Sequence, residues 1–412
     1  MLILQPKFLD VRLMKILFVI DVFNTHSNGT SISAQRFAEE LRKRGHDVRI
    51  LTVGENSDTI FGLKELYFPF FMKVIHKHGF MYAKCDEPTI RKAVEWAEIV
   101  HFFFPFFLTN YTKKVVDEMG KPSTAAFHVQ PQNITSSLLM GKINWVNNLI
   151  YKIFRYKTYN HFGHIHVPSQ FMGNELIKRN YTAKIHAISN GIQSDFTWMK
   201  RPKDPQFKDK ILIMMVGRLT KEKRQDILIN AVEHSKHGDR IQLIFAGTGP
   251  TDKMLHKLGK KLKNPPIFGY YDKQELKDKL SQCDLYVHAS DMESEAISCI
   301  EAFATGLVPV ISDSDLSATK QFALDERSLF RAGDPKDLAR AIDYWLDHPE
   351  EKAKMEKVYA ESAKNYDIEH SVTLFEKMLH EAIADHNNGR IINLDPVPYS
   401  LNTKPVALDP IA

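Results

Sequence analysis

Cysteine is scarce. Cys85, Cys283 and Cys299 are the only three in 412 residues, and no two have CxxC spacing. That excludes a disulfide framework or a zinc knuckle as the scaffold and fits a reducing compartment. Long apolar runs are missing too. The longest, Ile99 to Leu108, has ten residues and is interrupted by His101 and Pro105, whereas a membrane-spanning helix needs about 20. There is no secretory pattern: the apolar stretch Leu2 to Leu4 is too short, and Met14 makes a better start than Met1. Residues 1–13 therefore read as an extension ahead of the first element. The expectation is a cytoplasmic protein, either free or resting on the inner face of the cell membrane. Charge of one sign is also in short supply. Lys and Arg number 55 against 50 Asp and Glu, a net +5. This permits attraction to an anionic membrane or to phosphates and calls for no nucleic-acid partner.

What is present is an alternation of short apolar strands with amphipathic helices, run through twice. The first block opens with a strand over Lys15–Ile20 and a helix over Ile32–Arg44 that stops at Gly45, where a helix C-terminal glycine belongs. Strands are expected at Val48–Val53, Ile99–Phe104, Thr124–Phe127, Ile165–Val167 and Lys184–Ile188. After a polar, proline-containing stretch (Lys200–Lys210) a second block begins. Its strands fall at Ile211–Val216, Ile241–Phe245, Pro266–Phe268, Leu285–His288 and Val308–Ile311, with a helix over Gln225–Ser235. Helices dominate from Lys336 to about Ala384, and the four prolines of the last 28 residues suggest a loosely ordered tail. Such alternation implies parallel sheets with right-handed crossovers. The fold class is α/β, with two Rossmann-like domains facing across a cleft. The first covers 14–195 and the second 205–365; a helix over 366–385 follows, and then a tail over 386–412. Ligands of such sheets bind beyond the carboxyl ends of the strands, so each domain can hold one of two substrates.

Two segments of the second block carry chemistry. Glu293 and Glu301 form an E-x7-E pair after the strand that ends at His288, and Glu301 lies about two turns into the next helix. First-turn amides near Ser298 and Cys299 would favour an anion, and a carboxylate on that helix can accept hydrogen bonds from sugar hydroxyls. Alone, such a pair also suits an exposed acidic face. Earlier, Gly217-Arg218-Leu219-Thr220-Lys221-Glu222-Lys223 follows the block's first strand. The glycine allows a tight turn, and Arg218 with Lys223 can neutralise a diphosphate and the charge it gains on leaving.

Taken in order, these pieces resemble family 4 of the retaining glycosyltransferases, which have the GT-B fold. The resemblance extends over Asn28-Gly29-Thr30, Arg44-Gly45-His46-Asp47, Pro168-Ser169 and Ser189-Asn190-Gly191-Ile192. It continues through Gly247-Thr248-Gly249, Phe268-Gly269-Tyr270 and Gly333-Asp334-Pro335. It implies a hexosyltransferase of the EC 2.4 class that uses a nucleotide-sugar, UDP-sugar first, and retains configuration. The acceptor would be a glycan or a lipid-linked molecule of cell-envelope polysaccharide or glycolipid synthesis. It further implies that Arg218 and Lys223 grip the donor diphosphate and that Glu301 binds the ribose. Glu293 and His128 would approach the donor sugar, and Gly29 would form a flexible loop near the phosphates. His128, Glu293, Arg218 and Lys223 are thus the catalytic candidates. Gly29, Gly217, Arg218, Lys223, Glu293, Ser298, Cys299 and Glu301 are the donor-binding ones. The last helix, from about Tyr366, would cross back to the first domain. Asn190-Gly191 reads as a structural turn.

Two departures matter. Family members often have Gly-Phe-Gly after the first glutamate, where this chain has Ser294-Glu295-Ala296. A third carboxylate is therefore expected near the donor sugar. After the Val308-Pro309-Val310-Ile311 strand, where many members have a Gly-Gly pair and a glutamate, this chain has Asp313-Ser314-Asp315. The segment imitates the D-x-D of metal-dependent enzymes, but Arg218 and Lys223 already supply positive charge, so no metal or other cofactor is expected. A nicotinamide-dependent oxidoreductase lacks its third glycine after Gly247-Thr248-Gly249. A catalytically inactive sugar-nucleotide-binding module is the non-enzyme alternative. The basic, aromatic segment Lys142–Lys157 reads as a helix packed on the first sheet with its cations in water; a membrane-facing helix is the other reading.

Overall fold

A computed structural model describes residues 12–25, 29–69, 72, 76, 80–136 and 143–389. Residues 1–11, Asn28, eight residues between 70 and 79, Lys142 and the tail from 390 lie outside these residues.

Two parallel sheets form the chain. The first holds β1 (Lys15–Val19), β2 (Asp47–Val53), β3 (Ile60–Leu63), β4 (Ile99–Phe102), β5 (Ser123–Ala126), β6 (His164–Val167) and β7 (Lys184–Ala187), in the order β3-β2-β1-β4-β5-β6-β7. The second holds β8 (Ile211–Val216), β9 (Ile241–Ala246), β10 (Ile267–Gly269), β11 (Leu285–His288), β12 (Pro309–Ser312) and β13 (Leu329–Phe330), in the order β10-β9-β8-β11-β12-β13. Helices cover both faces. In the first block they are α1 (Gly29–Lys43), α2 (Glu87–Trp96), α3 (Phe107–Glu118), α4 (Pro131–Ser136), α5 (Asn144–Lys157) and α6 (Gln170–Ile177). In the second they are α7 (Gln225–Val232), α8 (Asp252–Gly259), α9 (Lys273–Gln282), α10 (Ile297–Ala304), α11 (Pro335–Asp347) and α12 (Pro349–Ser362). The last helix is α13 (Ile368–Asn387).

Burial on both faces explains why β8 reads ILIMMV and β9 IQLIFA with no polar alternation. Elements begin and end where local chemistry demands. Asp86, Ser169, Asp334 and Asp367 cap α2, α6, α11 and α13 by accepting first-turn amides, and Asp272 with Glu275 forms a capping box on α9. Gly45 closes α1 at φ +95°. Strands β3 and β13 are edge additions of four and two residues. Neither offers a period long enough to be found in the sequence.

α13 returns to the first sheet. Val372, Phe375, Met378 and Leu379 are buried with Ile16, Phe18, Phe37 and Phe103. At about 1.5–3 kcal/mol per buried large apolar side chain, this stripe is the main force holding the helix there. Arg44 and His46 add a polar clamp, reaching Glu376 of α13 at 2.6 Å and 2.7 Å. That explains the Arg44-Gly45-His46 segment without any ligand.

Candidate active site

In each sheet the strand order reverses beside the first strand of its block: β1 lies between β2 and β4, and β8 between β9 and β11. Loops leaving the two strands at such a switch point diverge and open a crevice. In the second sheet those loops carry Gly217–Lys223 after β8 and Glu293 after β11. Gly217 has φ +147°, and a Cβ there would lie 3.5 Å from the Lys223 side chain. The lysine packs across the bare glycine, and its ammonium ion-pairs with Glu293. His288, at the end of β11, places Nε2 3.0 Å from the same Glu293 oxygen. Tyr286 continues the chain to His288 Nδ1 and to Ser298 Oγ, both at 3.3 Å. Ser298 Oγ in turn donates to the Val216 carbonyl at 3.3 Å. Burial opposes charge on Glu293, but the Lys223 ammonium and the His288 hydrogen bond outweigh it and hold its carboxyl well below the ordinary range. Arg218 points outward with its side chain 59% exposed and only a 3.7 Å contact to Glu222.

The loop is fixed from behind. The Asp291 amide donates to the Glu222 carbonyl at 2.8 Å, and Gln225 Nε2 donates to the Arg218 carbonyl at 2.9 Å. A Cβ on Gly247 would fall 2.1 Å from the Gly217 carbonyl oxygen, and one on Gly249 2.3 Å from that of Leu219. Gly247-Thr248-Gly249 is thus the seat on which the first loop rests.

The carboxyl ends of the two sheets meet. Ser169 Oγ donates to the Ser294 carbonyl at 2.6 Å, and Gln130 Nε2 to the Leu316 carbonyl at 3.2 Å. Arg36 of α1 reaches Glu301 of α10 at 3.3 Å and the Gly191 carbonyl at 3.0 Å.

Residues 27–196 match the family described as Glycosyltransferase Family 4, and residues 196–385 that described as Glycosyl transferases group 1. The chain is a family 4 glycosyltransferase. Among curated proteins it resembles the phosphatidylinositol N-acetylglucosaminyltransferase GPI3 subunit of Saccharomyces cerevisiae, with 26% identity covering 72% of this chain and 67% of the relative. It also resembles the GDP-mannose-dependent alpha-mannosyltransferase of Corynebacterium glutamicum, with 22% identity covering 73% and 72%. Among solved structures, sucrose-phosphate synthase of Thermosynechococcus elongatus superposes with a TM-score of 0.68 at 16% identity, covering 90% of this chain and 99% of that one. Its likeness establishes the GT-B fold.

In this glycosyltransferase the fold brings Gly217, Lys223, Glu293 and Ser298 into one connected group. Glu301 stands apart from it, joined to the first domain by Arg36. Burial raises the Glu301 carboxyl, and Arg36 offsets part of the rise. Helix α10 starts at Ile297, so Glu301 lies just over one turn in, not two. The cause is Ala296, held at φ +83°, which delays the helix. The Cys299 amide is already spent on the Ala296 carbonyl at 3.0 Å, and the Cys299 side chain is fully buried, which pushes its thiol up. Gly29 opens α1 with nothing within 4 Å of a Cβ position.

His128 follows β5, stacked on Phe103 and edge-on to His166, and is 8% exposed. Burial, with His166 second, lowers it far enough to keep the ring neutral. Its Nε2 has no hydrogen-bond partner among the described residues.

Glu295 corrects the expectation of a third carboxylate at the donor sugar. It is 2% exposed and turned to the domain junction, where it accepts from the Ser189 hydroxyl, the Asn190 amide at 3.1 Å and Asn190 Nδ2 at 2.6 Å. Three donors in a dry junction outcompete a solvated position. In the D-x-D segment, Asp313 accepts from the Ala332 amide at 2.8 Å, and Asp315 pairs with Lys320 at 2.9 Å on the surface. Sequence reading missed His288 and Arg36 as site or junction residues and put Glu295 at the donor sugar instead of the junction. Of these only His288, at a strand end five residues before Glu293, carried a positional signal.

Proposed function

We propose that this enzyme transfers a hexose or N-acetylhexosamine from a nucleotide-sugar, UDP-sugar first, to a lipid-linked or glycan acceptor, with retention of configuration. The observation that carries the reading is the Lys223–Glu293–His288 group at the switch point of the second sheet. An ammonium has three N–H donors. Glu293 takes one and fixes the lysine, leaving two for a diphosphate, and the exposed Arg218 supplies a second, bidentate cation. Together they stabilise the diphosphate as the bond from its oxygen to the anomeric carbon breaks. The acceptor oxygen attacks from the face the diphosphate leaves, and its proton passes to the departing phosphate. Glu293 acts in positioning: the oxygen taken by Lys223 and His288 is a poor nucleophile. Glu301 binds the ribose beside Arg36, while His128 and Gly29 border the donor sugar and phosphates from the first domain. No metal is required, because Arg218 and Lys223 provide the charge.

The lipid-linked acceptor is supported by the yeast relative, whose name gives phosphatidylinositol as its acceptor, and by an outward apolar stripe on α5. The exposed Trp145, Leu149, Ile153 and Tyr156 that form it support a reaction at a membrane surface. The corynebacterial relative makes GDP-mannose the competing donor.

The test is nucleoside diphosphate release from UDP-, GDP- and ADP-sugars in the presence of membrane lipid. One donor is expected to react, and Arg218→Ala and Lys223→Ala are each expected to lower kcat by about 10²–10³. Arg218 is exposed, so its variant tests chemistry rather than folding. Wild-type turnover in both variants, or tight nucleotide binding with no product from any donor, would sink the reading; the second result favours an inactive binding module.

A further inference from the structure

A cluster of metal-ligating side chains lies away from the donor crevice, under the returning helix. Strands β6 and β7 pair with His164 opposite Lys184 and His166 opposite His186. All four therefore project to one face of the sheet. His166 lies against Phe375 of α13, with ring centroids 5.7 Å apart, so this is the face the helix covers. Glu381 and Asp385, four residues apart on α13, lie on one side of that helix.

The geometry points to a structural binding site for a divalent transition-metal ion, zinc by its ligand chemistry, formed by His164, His186 and Glu381 with Asp385 behind His164. His164 Nδ1 and His186 Nε2 are 3.0 Å apart. One ligand atom from each of His164, His186 and Glu381 lies within 4.8 Å of the others. Zinc bonds imidazole nitrogen at about 2.0–2.1 Å and carboxylate oxygen at about 2.0–2.2 Å, usually in a tetrahedron. The two nitrogens already have nearly the separation that geometry requires, and the carboxylate needs only a modest side-chain shift. A fourth position is left for water.

A carboxylate stands behind His164 as well. His164 Nε2 lies 3.2 Å from an Asp385 carboxylate oxygen. That contact fixes the proton on Nε2 and leaves the Nδ1 lone pair facing His186, as the outer carboxylate does for a metal-bound histidine. His186 Nε2 must then donate to His164. A metal takes the place of that shared hydrogen, and His186 changes to its Nδ1–H tautomer with no net loss of a proton. Burial keeps both rings neutral, the form that binds metal. The cations that face the site are Lys184, 2.6 Å from Glu381 Oε2, and Lys377. They oppose a dication and temper its affinity. The site has no part in sugar transfer. It ties α13 to the first sheet.

The test uses the full chain stripped with EDTA and then given Zn²⁺, or Co²⁺ as a spectroscopic probe. Zn²⁺ at 100-fold excess over its Kd is expected to raise Tm by about 3 °C or more. Co²⁺ is expected to give the intense visible bands of a tetrahedral nitrogen and oxygen site. Both signals should be lost in His186→Ala and in Glu381→Gln; the second changes only a partly exposed helix side chain and guards against misfolding. No rise in Tm and no cobalt bands in the wild type, or signals undiminished in Glu381→Gln, would overturn the site.

Discussion

Glu295 occupies the domain junction, and its carboxylate meets Ser189 and Asn190 rather than any solvent-facing group. Burial pushes it up to about 7, with the Ser189 and Asn190 hydrogen bonds offsetting part of the rise. The folded value lies above that of the unfolded chain, so the folded state binds more protons between about pH 4 and 7. The cost of the buried charge is absent below that window and complete above it. Wild-type stability should therefore fall as pH rises from 5 to 8. Glu295→Gln, which cannot ionise, should lose this slope and gain on the order of 3 kcal/mol relative to wild type at pH 8, the equivalent of the shift. Denaturant melts at pH 5 and pH 8 would measure the gain; an equal difference at both would rule out titration of Glu295. Asp21 sits at the end of β1, raised to about 7 by its own burial, and remains in both proteins, so the comparison isolates Glu295.

The connection between the blocks is where backbone geometry decides most. The Ile192 amide donates to the Tyr366 carbonyl at 2.8 Å, and the Ile368 amide to the Ile192 carbonyl at 2.9 Å, so the outgoing and returning chains touch. Gly191 holds φ +74° there, and a Cβ would lie 2.7 Å from Ile368 Cδ1 and 2.8 Å from its Cα. Gly191→Ala meets both a left-handed backbone, costing roughly 1–2 kcal/mol, and a clash with backbone that cannot rotate away. A loss of about 2 kcal/mol or more is expected in chemical denaturation, with α13 released first in hydrogen exchange. Gly29 is the contrast. Its Cβ position is open, so Gly29→Ala should change stability by less than about 1 kcal/mol, and the role proposed for it predicts lower turnover. The Asn190-Gly191 turn reads as structural in the sequence and is so in the fold. The role of Glu295 was not legible, because no local pattern records a partner 105 residues away.

At the scale of the molecule, α5 lies on the first domain with two unlike faces. Asn147, Tyr151 and Phe154 are buried, as a helix packed on the sheet requires. Trp145 (70% exposed), Leu149, Ile153 and Tyr156 face outward at spacings of four, four and three. Lys152 and Lys157 are exposed on the same helix. The packed face is thus present, and the exposed apolar stripe beside it is what the proposed membrane contact would use. No described helix is long and apolar enough to cross a bilayer. The stripe suits the boundary between headgroups and acyl chains instead. Sedimentation with vesicles containing anionic phospholipid should pull down the wild type, more weakly as salt rises. Trp145→Ser with Leu149→Ser and Ile153→Ser should cut the bound fraction severalfold with no change in melting. Undiminished binding would remove α5 from the membrane face.

The alternation of strands and helices, the two blocks and the loop chemistry at Gly217–Lys223 and Glu293 were determined by the sequence alone. Parallel strands buried on both faces must be apolar runs, and caps and glycines must stand where elements turn. These signals act within a few residues. Tertiary structure decided which side chains meet across the junction. Arg36 finds Glu301 across 265 residues, and Glu376 completes the clamp begun by Arg44 and His46. His164 and His186 become neighbours of Glu381 only because α13 crosses back. The reason is physical: local patterning fixes the period and ends of each element, but the pairing of polar groups is settled when two apolar faces close and leave those groups no water to bond.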